Sequence, residues 1–549
     1  MIYIERNKLI ITPEYQNYDF LRRYLIKIYL DKHINYFNYM MTANEINRYT
    51  IPEIEQQIAS LNNGLRQRKY DKCDCFYKAF YLYELDDDNN MIVPIGYLDF
   101  IKPYILPNYM KINYKLDDPM IDINKALEDL SGDLLPGIVL RPQQIEGIKR
   151  GLKLKKTLLQ LATGAGKTEI LCGITEIFRK QLGEIPTTLI IEPTDKLKKE
   201  IVERFNKYGI DAVDYNKERT IVEHKVNIAQ SVAVNMDLKK DEHLLDNVKV
   251  YFQDECHHIA SDTNSAIVMN IPNAEYIIGV SASIVAQDHI ESKNIQEYSV
   301  DELKAISMVG LISYNVTAKD LIGEGKLSEP VLLVVNSLAD EKLPKNKESD
   351  WHAISKHRLQ SLSRIKYISE VATYFSKHGR KSLILVNNKE WAQNIAKCIY
   401  DLGHGDECRL SFGGQIFLKF NNEEDKFDRD KETFDKFRSG EVSILIGTQH
   451  LIEGVDVPSL DCVILPAVGK SERIQIQSCG RALRLTKNGN MAYIVDFSDE
   501  KDPILNYQFK KRLSTYINTI GISKDKVHVI DRNNIESALN IIFNKYEGN

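Results

Sequence analysis

Residues Leu161–Glu169 read LATGAGKTE. Gly164 and Gly166, on either side of Ala165, let the backbone turn tightly with its N–H groups facing inward. Lys167 adds a positive charge and Thr168 a hydroxyl suited to Mg²⁺. Upstream, Lys156–Ala162 (KTLLQLA) is apolar enough to be a buried strand. Downstream, Ile170, Leu171, Ile174, Ile177 and Phe178 recur at helical spacing. A strand, a glycine loop and a helix N-terminus in that order make a phosphate cradle, because unpaired amides and the helix dipole both favour an anion. The plainer reading of so short a match is an ordinary strand-to-helix turn, and the flanking strand and helix argue against it. The general pattern has glycine where this chain has Leu161, so the loop is a variant form.

The chain has 549 residues, too many for one core, and roughly three to four domains are expected. Apolar residues make up 43% and charged residues 27%, the balance of an ordinary globular protein. No run of roughly eighteen apolar residues occurs, so a membrane span is not expected. Charges interrupt the apolar start MIYIERNKLI, which argues against a secretory signal. The cysteines are scattered without a CxxC pair, so neither a zinc ribbon nor a disulfide framework is indicated, and a reducing cytoplasm is the expected location. The net charge of −5 means that a nucleic-acid partner needs a local basic groove.

Four stretches differ in character. Residues 1–130 are tyrosine-rich and hold no phosphate motif, and they are read as an N-terminal accessory domain. Over 136–310 the strands TTLIIEPT, VKVYFQDE and YIIGVSAS alternate with helical patterns. Over 326–500 the strands KSLILVNN, VSILIGTQ, DCVILPA and AYIVDFSD do the same. Strands alternating with helices argue for parallel sheets covered on both faces. The expected fold class is therefore α/β, with two such domains in tandem, a small N-terminal α+β domain and a helical tail over 501–549.

An apolar strand in VYFQDECHH ends in Asp254 and Glu255. A carboxylate there can hold Mg²⁺ beside the β- and γ-phosphates, and its neighbour can deprotonate the attacking water. A solvated acidic loop is the bland alternative. His257 and His258 lack the HExxH spacing of a zinc site and are read as a polar link to the next strand, which ends at Ser281–Ala–Ser283. In the second α/β block, Gln477–Arg484 places Arg481 and Arg484 three residues apart, hence on one helical face. Two arginines aimed at a γ-phosphate stabilise transition-state charge, whereas a surface pair forms only a salt bridge.

This ordered set resembles the motifs of the superfamily 2 helicases and translocases. Leu140–Gln144 (LRPQQ) is similar to their adenine-recognition motif, ATGAGKT to their phosphate loop, Asp254–His257 to their DExH box, and Ser281–Ser283 to their S-A-T motif. Gly447–Asp456 and Gln477–Arg484 resemble their fifth and sixth motifs. The resemblance implies two RecA-like motor domains that use ATP and Mg²⁺. It implies that Gln144 reads adenine with Arg141 nearby, and that Gly164, Ala165, Gly166 and Lys167 hold the phosphates. Thr168 and Asp254 would hold the metal, and Glu255 would be the general base. Gln477, Arg481 and Arg484 would reach the γ-phosphate when the motor domains close, with Gly454 and Asp456 near the ribose. His257, Ser281 and Ser283 would couple hydrolysis to motion. Pro193, Thr194, Gln230, Ser231 and Thr448 would contact a nucleic-acid backbone, which carries no base sequence. Glu200 and Ile228 depart from the family, which often has Gln and Thr there.

The domain order resembles the UvsW-type helicases of tailed phages, related to the XPB group. Phe80–Glu84 through Ile95–Ile101 resembles their N-terminal strand, turn and helix, and Val316–Gly325 the helix leading into the second motor domain. The implied activity is a DNA helicase or translocase moving 3′ to 5′ on branched DNA of recombination or repair. An RNA helicase, a duplex translocase that separates nothing, and an ATP-switched transcription-release or scaffold protein stay open. No PD-(D/E)xK nuclease pattern occurs, which argues against a restriction subunit. Residues 1–135 carry a net charge of −4, yet they hold 16 of the chain's 29 tyrosines and the cluster Arg66, Arg68, Lys69 and Lys72. Aromatics beside cations stack on unpaired bases. Tyrosines that serve only as core are the alternative.

Overall fold

The computed structural model describes residues 2–5, 8–30, 51–53, 56, 59, 77–101, 120–286, 289–290, 294–336, 354–411, 430–448, 451, 460–466, 472–485, 491–500 and 502–547. The cluster Arg66, Arg68, Lys69 and Lys72 lies outside them, as do Gly454 and Asp456. Two compact units form, residues 1–161 with 166–315, and residues 162–165 with 316–549.

The first unit opens with short antiparallel strands. β1 (Ile2–Glu5), β2 (Lys8–Ile11), β5 (Glu84–Leu85) and β6 (Met91–Pro94) form a sheet in the order β1-β2-β6-β5, and β3 (Ile26–Leu30) pairs with β4 (Tyr77–Tyr81). Between β2 and β3 lies helix α1 (Tyr18–Tyr24), whose Tyr18, Leu21 and Tyr24 are buried. These elements share one hydrophobic core with the α/β part that follows, running from Leu9, Tyr15 and Ile101 to Leu158, Tyr251 and Leu303. Tyr15, Tyr18, Tyr24, Tyr83 and Tyr97 are all buried, so these tyrosines serve as core.

The seam is tight. A Cβ on Gly96 would lie 1.9 Å from the Ile306 backbone oxygen, so no side chain fits there. The Tyr97 hydroxyl donates to Leu303 O at 2.8 Å, and Gln296 Nε2 to Ile26 O at 2.7 Å. Leu303 and Ile306 belong to a helix, Val300–Val309, with a reciprocal Ser299–Glu302 capping box.

Helix α2 (Pro142–Leu154) precedes β7 (Lys156–Leu161), and helix α3 (Lys167–Leu182) follows the glycine loop. Then come β8 (Thr188–Glu192), helix α4 (Asp195–Lys207), β9 (Ala212–Asp214), β10 (Val226–Gln230), helix α5 (Ser231–Leu238), β11 (Val250–Gln253), β12 (Tyr276–Ser281) and β13 (Ile312–Val316). The strands assemble as β13-β7-β12-β11-β8-β10-β9. The pairs from β7 to β9 are parallel. Nearly every residue of β7, β8, β11 and β12 is buried, as befits strands covered on both faces. β13 carries this sheet beyond the limit of 310 read from the sequence.

The second unit holds β14 (Glu329–Asn336), helix α6 (Leu362–Lys377), β15 (Ser382–Leu385), β16 (Cys408–Ser411), β17 (Ile444–Gly447), β18 (Cys462–Leu465), helix α7 (Glu472–Ala482), β19 (Met491–Ser498), helix α8 (Pro503–Thr515), β20 (Val527–Asp531) and helix α9 (Ile535–Glu547). Its strands are parallel in the order β16-β17-β15-β18-β19-β14-β20. The two sheets in tandem are those of RecA-like α/β domains. The tail carries the expected helices and also supplies β20, a strand that the sequence pattern does not announce. Ile530 is the buried residue of β20, so its apolar signal is slight.

Candidate active site

The loop after β7 closes as a turn, with Ala165 N–H donating to Ala162 O at 3.0 Å. Gly164 and Gly166 take φ of +89° and +86°, which L side chains rarely adopt. Gly166 then caps α3, so Lys167 and Thr168 stand in the first turn with their amides free of intrahelical partners. Glycine is required at 166 for a second reason. Its Cβ would fall 2.0 Å from Gln144 Nε2 and 3.1 Å from Arg141 Nη2. Gln144 is held there because its Oε1 accepts the Arg141 N–H at 2.8 Å in a capping box at the start of α2. The adenine-motif glutamine thus lies against the phosphate loop.

Asp254 and Glu255 follow β11. The Asp254 N–H donates to Ile191 O at 3.2 Å, and Asp254 Oδ1 accepts the Glu255 N–H at 2.8 Å. Glu255 adopts φ +43°, an unusual conformation for a non-glycine residue and one found often at functional sites. Its Oε1 lies 3.2 Å from Lys167 Nζ, with the two side chains 22% and 16% exposed. Its Oε2 accepts the Ser281 hydroxyl at 3.1 Å. His257 Nδ1 lies 3.0 Å from Ser281 Oγ and 3.4 Å from Glu255 Oε2. The phosphate loop, β11 and β12 therefore meet on one carboxylate. The Ser283 Oγ is buried without a hydrogen-bond partner among the described residues.

Burial pushes the Asp254 carboxyl up to about 6, against the pull of Lys167. Burial acts on Glu255 in the same sense, but Lys167 and His257 overcome it and hold Glu255 well below the usual carboxylate range. Burial also opposes the charge of Lys167, and Glu255 and Asp254 outweigh it and raise that pKa. Glu255 is thus the more firmly ionised member of the acidic pair, the state in which a carboxylate can accept a proton. A hydroxyl at Thr168 and a carboxylate at Asp254 are the hard oxygen donors Mg²⁺ prefers. With the left-handed glycine turn and the ammonium of Lys167, the residues present fit a magnesium–nucleotide complex.

Thr194 caps α4, its Oγ1 accepting from Leu197 N at 3.3 Å. Gln230 stands at the start of α5, whose first residue is Ser231. Both helices begin where parallel neighbours β8 and β10 end. Pro193, Thr194, Gln230 and Ser231 therefore share one sheet edge, with two helix N-termini side by side, an arrangement suited to successive phosphates. Gln230 Oε1 accepts from Asn216 Nδ2 at 3.0 Å, a neighbour that the sequence motifs do not indicate. They do not indicate Glu192 either, buried at the end of β8 with both oxygens unpartnered among the described residues. Burial and the charges of Asp254 and Glu255 push that carboxyl far up. A glutamate closing the apolar run LIIE is the available signal.

In the second unit Thr448 follows β17 and its carbonyl accepts from Leu451 N at 3.0 Å. Gln477, largely buried, and Arg481 lie on α7. Arg484 does not share that helix, because α7 ends at Ala482. The carbonyls of Leu483 and Arg484 turn out to accept from Ser328, by its N–H at 2.7 Å and its hydroxyl at 3.3 Å. The two arginines thus stand in the last helical turn and just beyond it.

Residues 137–285 match the family model "Type III restriction enzyme, res subunit", and residues 363–486 match "Helicase conserved C-terminal domain". The chain is 25% identical over 372 residues to the DNA 3′-5′ translocase XPB2 of Sulfurisphaera tokodaii, covering 63% of this chain and 79% of that one. It is 21% identical over 408 residues to a protein named as a helicase in Sulfolobus islandicus filamentous virus, covering 69% and 67%. A protein named as the ATP-dependent helicase IRC3 of Saccharomyces cerevisiae is 26% identical over 382 residues, 64% of this chain and about half (49%) of that one. Among solved structures, a fragment assigned to the HsdR subunit of a Vibrio vulnificus type I restriction enzyme aligns over 88% of this chain and 84% of its own, at 17% identity and a TM-score of 0.53. T4 UvsW aligns over 97% and 99%, at 17% identity and a TM-score of 0.37, which carries no argument for that subgroup. Both motor halves match in order, one bearing the phosphate loop and DExH box and the other the arginine motif, and the chain belongs to the superfamily 2 helicases.

Proposed function

We propose that this protein is a nucleic-acid-stimulated ATPase that moves along DNA. The observation that carries the reading is the shared sheet edge of the first unit. Lys167, Asp254 and Glu255 gather there for a nucleotide, and the N-termini of α4 and α5 stand at the ends of neighbouring strands. One sheet thus joins the fuel site to a surface suited to a phosphate backbone.

In this reading Gln144 and Arg141 hold the adenine, and Gly164, Ala165, Gly166 and Lys167 hold the phosphates. Thr168 and Asp254 would hold Mg²⁺, which when bound would supply positive charge to offset that of the phosphates. Glu255 takes the proton of the attacking water, and Lys167 leaves Glu255 for the γ-phosphate. Gln477, Arg481 and Arg484 supply charge from the second motor domain, and hydrolysis waits on their arrival. His257 and Ser281 tie Glu255 to β12, so a change at the phosphate is felt at that strand; Ser283 stands two residues beyond. Pro193, Thr194, Gln230, Ser231 and Thr448 grip the backbone. Gly454 and Asp456 are proposed near the ribose on the family motif alone.

Movement 3′ to 5′ and action on forks or recombination intermediates complete the proposal. The name of the Sulfurisphaera relative supports a DNA track and that polarity. It equally supports a second reading, translocation along DNA without unwinding. ATPase stimulation by single-stranded DNA, duplex DNA, forked DNA and RNA tests the track, and strand displacement then separates helicase from translocase. Stimulation by RNA alone refutes the DNA reading. The domain limits 1–130, 136–310, 326–500 and 501–549 enter this proposal with the second one extended to take in β13 (Ile312–Val316). DNA binding by the N-terminal module also belongs to it. Because that module shares the motor's core, deleting it exposes apolar surface, and point variants on its surface are the sound test.

A further inference from the structure

We propose that the C-terminal segment is a brace that positions the arginine helix α7, with Gln475 and Thr519 as its positioning residues. The inference rests on the reading of Arg481 and Arg484 as γ-phosphate ligands. It concerns what holds them in place.

The tail grips α7 at two points on its first two turns. The Thr519 hydroxyl donates to Glu472 Oε1 at 2.8 Å. One turn on, Gln475 is fully buried and its Nε2 donates to the backbone oxygen of Arg512 at 2.8 Å. Arg512 is itself immobilised. Its guanidinium makes a two-pronged pair with Asp496, at 2.7 Å through Nε and 2.9 Å through Nη2. Asp496 is fully buried on β19, an interior strand of the sheet, and also accepts the Tyr516 hydroxyl at 2.9 Å. A two-pronged charged pair fixes direction as well as distance. Position therefore passes from β19 through Asp496 and Arg512 to Gln475, and so to α7. The backbone widens into a π-helix over Tyr516–Ile520, the turn that carries both Tyr516 and Thr519. Such turns are frequent at functional sites.

At its far end α7 is held by Ser328, which takes the Leu483 and Arg484 carbonyls. With its first two turns and the residues just past its C-terminus held, the backbone that carries Arg481 and Arg484 is fixed at both ends. The tail also supplies β20 to the edge of the same sheet, pairing Leu332–Asn336 of β14 with Val527–Asp531. Deleting the tail thus strips a strand, so side-chain substitutions are the informative test.

The double variant Gln475→Met with Thr519→Val removes both donors at nearly constant volume. Nucleic-acid-stimulated kcat for ATP is expected to fall about ten- to a hundred-fold, the scale of an ångström-sized misplacement. KM for ATP and binding of a fluorescent ATP analogue should stay as in the wild type, and Thr519→Ser should keep wild-type kcat. Unchanged kcat in the double variant overturns the brace, and so does a parallel loss of kcat, ATP binding and thermal stability. Arg481→Ala is measured alongside. If it hydrolyses normally, the reading of the arginines has failed. If it loses hydrolysis while the double variant does not, the brace alone has failed.

Discussion

Glu255→Gln is expected to separate ATP binding from ATP turnover, and to tighten the binding. Glu255 Oε1 lies 3.2 Å from Lys167 Nζ. At an effective dielectric of about 20 the gross attraction at that distance is about 5 kcal/mol. Most of this is returned by resolvation, and a hydrogen bond between charged groups contributes about 1.5–3 kcal/mol net. ATP must take Lys167 from Glu255, so that net term opposes binding. Glutamine keeps the shape and the Ser281 contact but loses the charge. Loss of a negative charge beside a polyphosphate acts in the same direction. A gain of one to two kcal/mol corresponds to roughly five- to thirty-fold tighter ATP. Turnover should fall at least about a hundred-fold, the lower range for a lost general base. Isothermal titration with ATP and a phosphate-release assay read the two effects. Weaker or unchanged ATP binding refutes the competition between Glu255 and phosphate for Lys167. Retained turnover means that another group is the base.

Arg481→Ala should bind ATP as the wild type does and lose about a thousand-fold or more in kcat, as when an arginine finger is withdrawn; single-turnover hydrolysis checks this. Gly166→Ala meets both a φ of +86° and the Gln144 amide at 2.0 Å. The left-handed backbone alone costs about 1–2 kcal/mol, so ATP binding should be lost while the fold survives, read by nucleotide titration beside a thermal melt. Gly96→Ala places a methyl 1.9 Å from a backbone oxygen of the helix Val300–Val309. Overpacking of this kind costs about 1–3 kcal/mol, and the first unit should melt earlier with little change in ATP affinity at low temperature. An unchanged melt would mean that the N-terminal module docks more loosely than this seam.

The phosphate site is largely legible in the amino-acid order. A left-handed turn, a helix cap and a strand end are set by residues a few positions apart, so GAGKT and QDE declare them locally. The strands TLIIE, VYFQ, ILIG and YIVDFS are legible for the same reason, as each buries nearly every residue and shows a continuous apolar run. β20 is not, because an edge strand buries little and its partner β14 lies far back in the chain. Spacing puts Arg484 on a helix with Arg481, and spacing alone cannot show Ser328 taking the carbonyls that end it.

The sequence by itself determined the family motifs: a glycine loop, a paired carboxylate and an arginine motif, in family order. Only the tertiary structure decided what each of these leans on. It laid Gln144 against Gly166, put Lys167 and Ser281 on one carboxylate, sank Tyr15, Tyr18, Tyr24, Tyr83 and Tyr97 into the core shared with the motor, and tied α7 to the tail through Arg512. These contacts join residues distant in sequence through buried polar groups. A buried donor or acceptor must find a partner wherever the topology supplies one. Local pattern holds no record of where that is.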